Sequence, residues 1–438
     1  MLKKVVILAS PALSPAASPA ESRAYKYARA IMLALELFYD CKIFGPTLDI
    51  MGNQSSDGPI TGDIFLFFED NQEQENKIQT SLLQTNPQAR FVSRKELVLT
   101  NFSASIMTSL ANLIGLNPIV PEATMIPIPI QTLLCIPDGP VDLYIKIGSG
   151  PDPKFIKRYS YMLPGTYGEV TQYFKKGLQE FYITADQINK LYDYVEQKIL
   201  SQLNLSDAYD NLSKTTLLDG SMSYISSSLA QLRLSENVMK TAEKLIENME
   251  GWESKHNTLE DMIQELLKDK ASYRFTHSVL LMRTCFHINK QINSNADFQK
   301  PTLVFSTLLH DILLPHDHLA KIHSAKEVDL FCKDNHERSL VQKHAKLIGE
   351  LSHLFPGCPS VCSQILTQHH GSLSGIDFSE DLSTKLHPTA MMLMVAEEYI
   401  RIRLDNRKLK NAEMLMILKT KMSKNSQKHF IECLKDFP

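Results

Sequence analysis

No histidine occurs among the first 255 residues; all fourteen lie at or beyond His256, and nine fall between His310 and His370. Chemistry that needs imidazole, whether metal binding or acid–base catalysis, is therefore confined to the C-terminal part. A surplus of positive charge is also missing. The formal net charge of -3 argues against the basic face that a nucleic-acid duplex requires. No apolar run approaches the roughly 20 residues needed to cross a bilayer, which leaves no membrane as partner. Cysteines are few and odd in number, seven in all, and scattered. Cys358 and Cys362 have a CxxxC spacing without a second pair nearby, so they read as structural thiols rather than a zinc site. The pattern fits a reduced, cytoplasmic protein. Internal repeats and low-complexity tracts are absent too. What remains is ordinary globular composition, with 43% apolar and 22% charged residues over 438 positions, enough for two or three domains.

The chain opens with Met1-Leu2-Lys3-Lys4 and the short apolar stretch Val5-Val6-Ile7-Leu8-Ala9. That stretch is short for the core of a signal peptide and reads as a first β-strand. Residues 1–118 then alternate. Glu21 to Phe38 carries apolar residues at helical spacing, Asp63 to Phe68 is a buried-strand run, Asn76 to Thr85 is helical, Arg90-Phe91-Val92 is strand-like and Ser103 to Leu116 is helical. Such alternation predicts a parallel-sheet α/β layer. Its order and size resemble a response-regulator receiver domain. Ser10-Pro11 stands where that family has an acidic metal pair. Asp70 stands where a phosphoacceptor is expected, but Glu69-Asp70 reads as a solvated loop after a strand. The domain is thus receiver-like and degenerate.

Residues 119–201 form a small α+β module. It begins with an extended boundary segment containing Pro118, Pro121, Pro127 and Pro129. Asp142 to Ile147 alternates as a strand, with Phe155-Ile156-Lys157 as partner across the Gly148–Pro153 turn. Glu180 to Ile183 and a helix from Ala185 to about Ser201 follow. Residues 202–270 are helical. Val238, Ala242, Leu245, Met249 and Trp252 repeat at spacings of four and three, which suits either a packed bundle helix or a signalling helix that forms a homodimer through residues 230–270.

From 271 to 438 the pattern is all-α. Five motifs stand out: His277, His310-Asp311, His344, His369-His370 and Glu397. Singly, each has an ordinary reading. His277 suits a helix surface or cap, His344 a solvated charged face, and Glu397-Glu398 an exposed pair. Together they supply imidazoles plus a carboxylate able to bridge, the donor set of a divalent-ion pair. Two ions ~3.5–4 Å apart can activate a water and clamp a phosphoryl group.

The order of His277, Leu308-Leu309-His310-Asp311-Ile312, His344, His369-His370 and Met394-Val395-Ala396-Glu397 resembles the HD phosphohydrolase superfamily and, within it, the HD-GYP family. The resemblance covers about residues 271–410. It implies one metal held by His277, His310, Asp311 and Glu397, and a second held by Asp311, His344, His369 and His370, with Asp311 bridging. It further implies iron or manganese and hydrolysis of a phosphodiester, usually cyclic di-GMP. Several positions depart from the family. Ile312-Leu313-Leu314 replaces the continuation into Gly-Lys, so the phosphate-steadying lysine is missing and Lys321, ten residues on, is the candidate replacement. Gly371-Ser372-Leu373-Ser374-Gly375-Ile376-Asp377-Phe378 replaces the segment that ends in Gly-Tyr-Pro, keeping a glycine and an aromatic ring. Glu397 stands for an aspartate. Two readings follow: a signalling phosphodiesterase acting on a cyclic dinucleotide or related small molecule, and a degenerate HD scaffold that binds metal or ligand without turnover.

Overall fold

A computed structural model gives the chain as two compact units, residues 1–122 with 231–236, and residues 123–230 with 237–438. In the first 124 residues it describes four strands and positions 80, 83, 84 and 87. From 125 onward it describes all but 137, 149–152, 161–168, 205–213, 231–235, 293–298, 380–382, 423 and 438.

In the first unit, β1 (Lys3–Leu8), β2 (Cys41–Thr47), β3 (Ile64–Phe67) and β4 (Arg90–Val92) form one parallel sheet in the order β2-β1-β3-β4. Parallel pairing is what the alternating pattern predicts. Strand β2 is not marked by that pattern, because Gly45-Pro46 interrupts its apolar run. It lies at the sheet edge, where a missing proline N–H need not cost a ladder bond. Thr80, Leu83 and Gln84 are helical, within the expected 76–85 segment. The helices read over 21–38 and 103–116, and Ser10-Pro11 and Glu69-Asp70, lie outside the described residues.

The second unit begins with β5 (Met125–Pro129), α1 (Ile130–Leu134), β6 (Leu143–Ile147), β7 (Lys154–Tyr159), α2 (Val170–Lys175) and β8 (Glu180–Thr184). The sheet is antiparallel, in the order β5-β8-β6-β7. The expected hairpin is present, with Ile145 opposite Ile156. The proline-rich segment is more than a connector, since Pro127 and Pro129 sit within the edge strand β5. Phe181 and Ile183 alternate inward on β8.

Helices α3 (Ile188–Asn204), α4 (Lys214–Ala230), α5 (Glu236–Glu253) and α6 (Leu259–Lys268) follow. Helix α4 packs on α1 so closely that a Cβ at Gly220 would lie 2.7 Å from the Gln131 carbonyl oxygen. Serines 221, 223, 226, 227 and 228 are buried along it, because small side chains permit such approach. The seam of Val238, Ala242, Leu245, Met249 and Trp252 is buried within the unit, as in a packed bundle helix. Helix α6 starts at a reciprocal cap. The Thr258 hydroxyl accepts from Asp261 N at 3.1 Å, and Asp261 accepts from Thr258 N at 3.1 Å.

The remaining helices are α7 (Tyr273–Ile292), α8 (Lys300–Leu309), α9 (Ala325–Phe331), α10 (Asn335–Leu351), α11 (Val361–Gln368), α12 (Pro388–Asp405), α13 (Asn411–Lys421) and α14 (Asn425–Glu432). Helix α7 packs against α8 and α12, and α11 against α8, α10 and α12.

A buried polar network ties α4 to the start of α7. Asp219 accepts from Ser272 N at 2.7 Å and Ser272 Oγ at 2.6 Å. Arg274, almost fully buried, donates to Ser226 Oγ and to the Leu314 carbonyl at 2.8 Å. Asp317 accepts from Tyr273 N at 2.8 Å and so satisfies an orphan donor of the first helical turn. The network fixes the turn before His277 and the segment after Asp311 from one side.

Burial pushes Asp219 up to about 6 despite the Ser272 donors. An unfolded aspartate titrates near ~3.9, so between these values the folded chain holds the extra proton. Asp219 therefore favours folding below about pH 4 and loses that contribution as pH rises through about 6. Denaturant unfolding of wild type and Asp219→Asn across pH 4–7 checks this. The wild type should lose on the order of 3 kcal/mol relative to the variant over that range.

Candidate metal centre

Five helices and their ends bring the marked residues together. His277 lies one turn into α7. His310 caps the C-terminus of α8, and Asp311 follows it. His344 lies in α10, His369 caps α11 with His370 next, and Glu397 lies midway along α12. Each of these side chains is buried. His277 and His310 are 0% exposed and Glu397 is 5% exposed, which excludes the surface readings of His277, His344 and Glu397.

The donor atoms form two groups of four, each with its atoms within 4.8 Å of one another: His277, His310, Asp311 and Glu397, and Asp311, His344, His369 and His370. Asp311 belongs to both, with one oxygen turned to each. Its Oδ2 is 3.4 Å from His310 Nε2, and its Oδ1 is 3.3 Å from His344 Nε2. His277 Nε2 lies 3.7 Å from Glu397 Oε1, and His370 Nε2 lies 3.1 Å from His344 Nε2.

Backbone carbonyls set the imidazole tautomers. His310, His344 and His369 each direct Nδ1 to the carbonyl three residues back, at 2.8 Å to Thr307, 2.7 Å to Val341 and 2.5 Å to Leu366. In the neutral ring the proton is held on Nδ1 and the Nε2 lone pair faces the centre, the arrangement typical of metal-bound histidine.

The residues fit a metal pair by a second test. Buried polar atoms are normally satisfied, yet His277 Nδ1 and Nε2, His310 Nε2, Asp311 Oδ2, His369 Nε2 and Glu397 Oε1 have no hydrogen-bond partner. These atoms converge on one region, in pairs too long or too poorly aligned to satisfy each other. Cations placed among them would complete them, so each group could hold a metal ion.

The electrostatics agree. Burial would raise Asp311, but the His310 and His344 rings beside it hold its carboxyl well below the usual range. Burial would lower His310, but the Asp311 carboxylate outweighs it and pushes the imidazolium up to about 9. Glu397 is likewise held low, against burial, by His277 and His323. Burial lowers His369 to about 4, helped by His344, and keeps His370 well below its ordinary value.

Lys321 is not brought among these groups. It is exposed, and its ammonium sits 4.8 Å above the Tyr273 ring, which in turn stacks on His277 at 5.6 Å. The aromatic of the divergent loop does reach the site, with Phe378 4.3 Å from the His370 ring. Its loop is fastened by Lys346 N donating to Gly375 O at 3.0 Å and Asp377 N to Gln342 O at 2.8 Å. Gly375 has φ +71, and a Cβ there would lie 2.8 Å from the Lys346 backbone, so no other residue fits without a shift.

Sequence reasoning missed His323. Its ring is buried, with Nδ1 3.1 Å from Glu397 Oε1. It follows a stretch already dense in histidine (His316, His318), and no fixed spacing separates it from its neighbours.

No family model matches the chain, and no curated protein matches it. Among solved structures it is similar to Bd1817, a HDG"Y"P protein from Bdellovibrio bacteriovorus, with 16% identity, a TM-score of 0.42, and coverage of 71% of this chain and 98% of that one. The reading of the centre rests on its own residues.

Metal uptake should stabilise the fold and compete with protons. Manganese at ~100 times its Kd should add roughly 2.7 kcal/mol for each site filled, and chelator should reverse the rise in Tm, measured by calorimetry. Because His310 keeps its proton to about pH 9 in the metal-free centre, filling the first group at pH 7 should release a proton, and apparent affinity should climb as pH rises toward 9. Unbuffered titration with a pH electrode measures both.

Proposed function

We propose that residues 271–438 form an HD-type metal-dependent phosphohydrolase that cleaves a phosphodiester in a small molecule, with a cyclic dinucleotide such as cyclic di-GMP as the leading substrate. One observation carries the reading. Two four-donor groups share a single buried carboxylate, Asp311, which offers one oxygen to each. The order of the donors along the chain, and its resemblance to HD-GYP proteins, support it.

The first ion would be held by His277, His310, Asp311 and Glu397, and the second by Asp311, His344, His369 and His370. Iron or manganese suits this mixture of imidazole and carboxylate. Bound there, such a pair supplies Lewis-acid polarisation of a phosphoryl oxygen and an activated water. The protein's own part is positional. The backbone carbonyls of Thr307, Val341 and Leu366 orient three imidazoles, and Asp311 fixes the spacing between the two groups.

A cavity of about 120 Å³ beside the centre is lined in part by His369, His370, Phe378, Ser379 and Glu397. Ligand pockets commonly measure ~300–1,000 Å³. This one therefore admits the phosphodiester rather than a whole dinucleotide, whose bases would lie across the mouth. The Phe378 ring, against His370, offers a face for stacking.

A second reading is a centre that binds metal and ligand without turnover, and it draws on the cations. No lysine or arginine lines the cavity among the described residues, and Lys321 is spent on Tyr273. Among the described residues, a substrate phosphate there would meet no lysine or arginine to steady it.

The assay is direct. Full-length protein loaded with manganese or iron should hydrolyse cyclic di-GMP or another member of a nucleotide phosphodiester panel. Asp311→Asn should lose at least ~10³-fold in kcat, as expected when several kcal/mol of transition-state stabilisation go. Bound metal with no turnover of any substrate would select the second reading.

A further inference from the structure

We propose that His323 is a ligand of the first metal group, adding a third imidazole to His277 and His310. The inference rests on the metal-centre reading above and extends its donor set by a residue outside the resemblance.

Three observations carry it. First, His323 Nδ1 is 3.1 Å from Glu397 Oε1, a common separation for two donors on one ion, and its ring lies 5.8 Å from that of His277. Second, the contact is a close ion pair that is poorly aligned as a hydrogen bond. Glu397 Oε1 has no donor within bonding geometry, although it is buried and the ring nitrogen is close. The nitrogen and the oxygen lie side by side, as two ligands of a third atom do. Third, His323 is more than nine-tenths buried, and its Nε2 also has no partner, so no bond on the far side of the ring fixes its position.

The ring is held there deliberately by its surroundings. His323 N donates to Glu327 Oε2 at 2.8 Å, and Ser324 caps α9 by accepting from Glu327 N at 3.3 Å. Glu327 also accepts from Arg401 Nη1 at 3.0 Å. Arg401 lies one turn beyond Glu397 on α12, on the same helix face. The ion pair therefore straps the His323 segment to the helix that carries Glu397.

His323 would add a fifth donor to the four of the first group, against four in the second. An octahedral ion would keep one open position in the first group and two in the second, so the first should bind metal more tightly.

Two substitutions separate ligation from simple hydrogen bonding to Glu397. His323→Asn keeps a donor toward Glu397 but loses the imidazole lone pair. His323→Asp keeps a ligand but no donor. Metal content and chelator-competition affinity are measured on the full chain with manganese, and circular dichroism of the metal-free variants reports their fold. The expected result is that wild type binds two ions, His323→Asn weakens one of them by at least tenfold, and His323→Asp retains it. Equal binding of two ions by wild type and a folded His323→Asn overturns this inference alone. A wild type that takes up no ion overturns the reading of the whole centre. A measurement on the unaltered chain covers the case of a variant that does not fold. Loaded with two cobalt(II) ions, it should give six strongly shifted exchangeable ring N–H resonances in proton NMR. Five, the number of histidines in the two groups without His323, would overturn the inference.

Discussion

The Asp311 carboxylate is the constraint on which the C-terminal part is built. A buried, ionised carboxylate costs several kcal/mol unless charge of the opposite sign is near, and Glu397 adds a second within the same centre. Four of the five helices that meet there contribute to meeting that cost: α7, α8, α10 and α11 each bring imidazole. The metal-free centre is only partly satisfied, as its orphaned nitrogens and oxygens attest. Cations would complete it. Stability and ligation are then one property, since whatever fills the centre also relieves the fold.

The centre is held from outside by a network with no chemistry of its own. Asp219, Ser226, Ser272, Arg274, Leu314 and Asp317 join α4, the start of α7 and the segment after Asp311. His277 and Asp311 are thus fixed through residues three positions away. The small module that precedes the centre in sequence matters because α4 lies between its α1 and this network.

Much of the centre was legible in sequence. The seven residues read as ligands are all brought together by the structure, in the same two groups sharing Asp311. Adjacency explains why: His310-Asp311 and His369-His370 at helix ends deliver two donors from one turn of chain. His323 was illegible for the opposite reason. It comes from an irregular segment after a three-residue 3₁₀ turn (Leu319–Lys321), where periodicity gives no face. Lys321 shows the same limit. Distance along the chain could not tell that its ammonium turns onto Tyr273. In the fold, long alternating runs such as β6 and β7 were readable. β2 and β5 were not, because proline at a sheet edge resembles a linker.

The helix-end placement of His310 and His369 has a consequence for the order of events. Helix C-termini carry roughly half a negative charge each, and α8 and α11 both end at the centre. Two carboxylates and two such poles outnumber the His310 imidazolium in the metal-free centre, which therefore leans to negative charge. On the proposed function, divalent charge would have to offset it before an anionic substrate entered, so the ions would gate the site electrostatically as well as supply Lewis acidity.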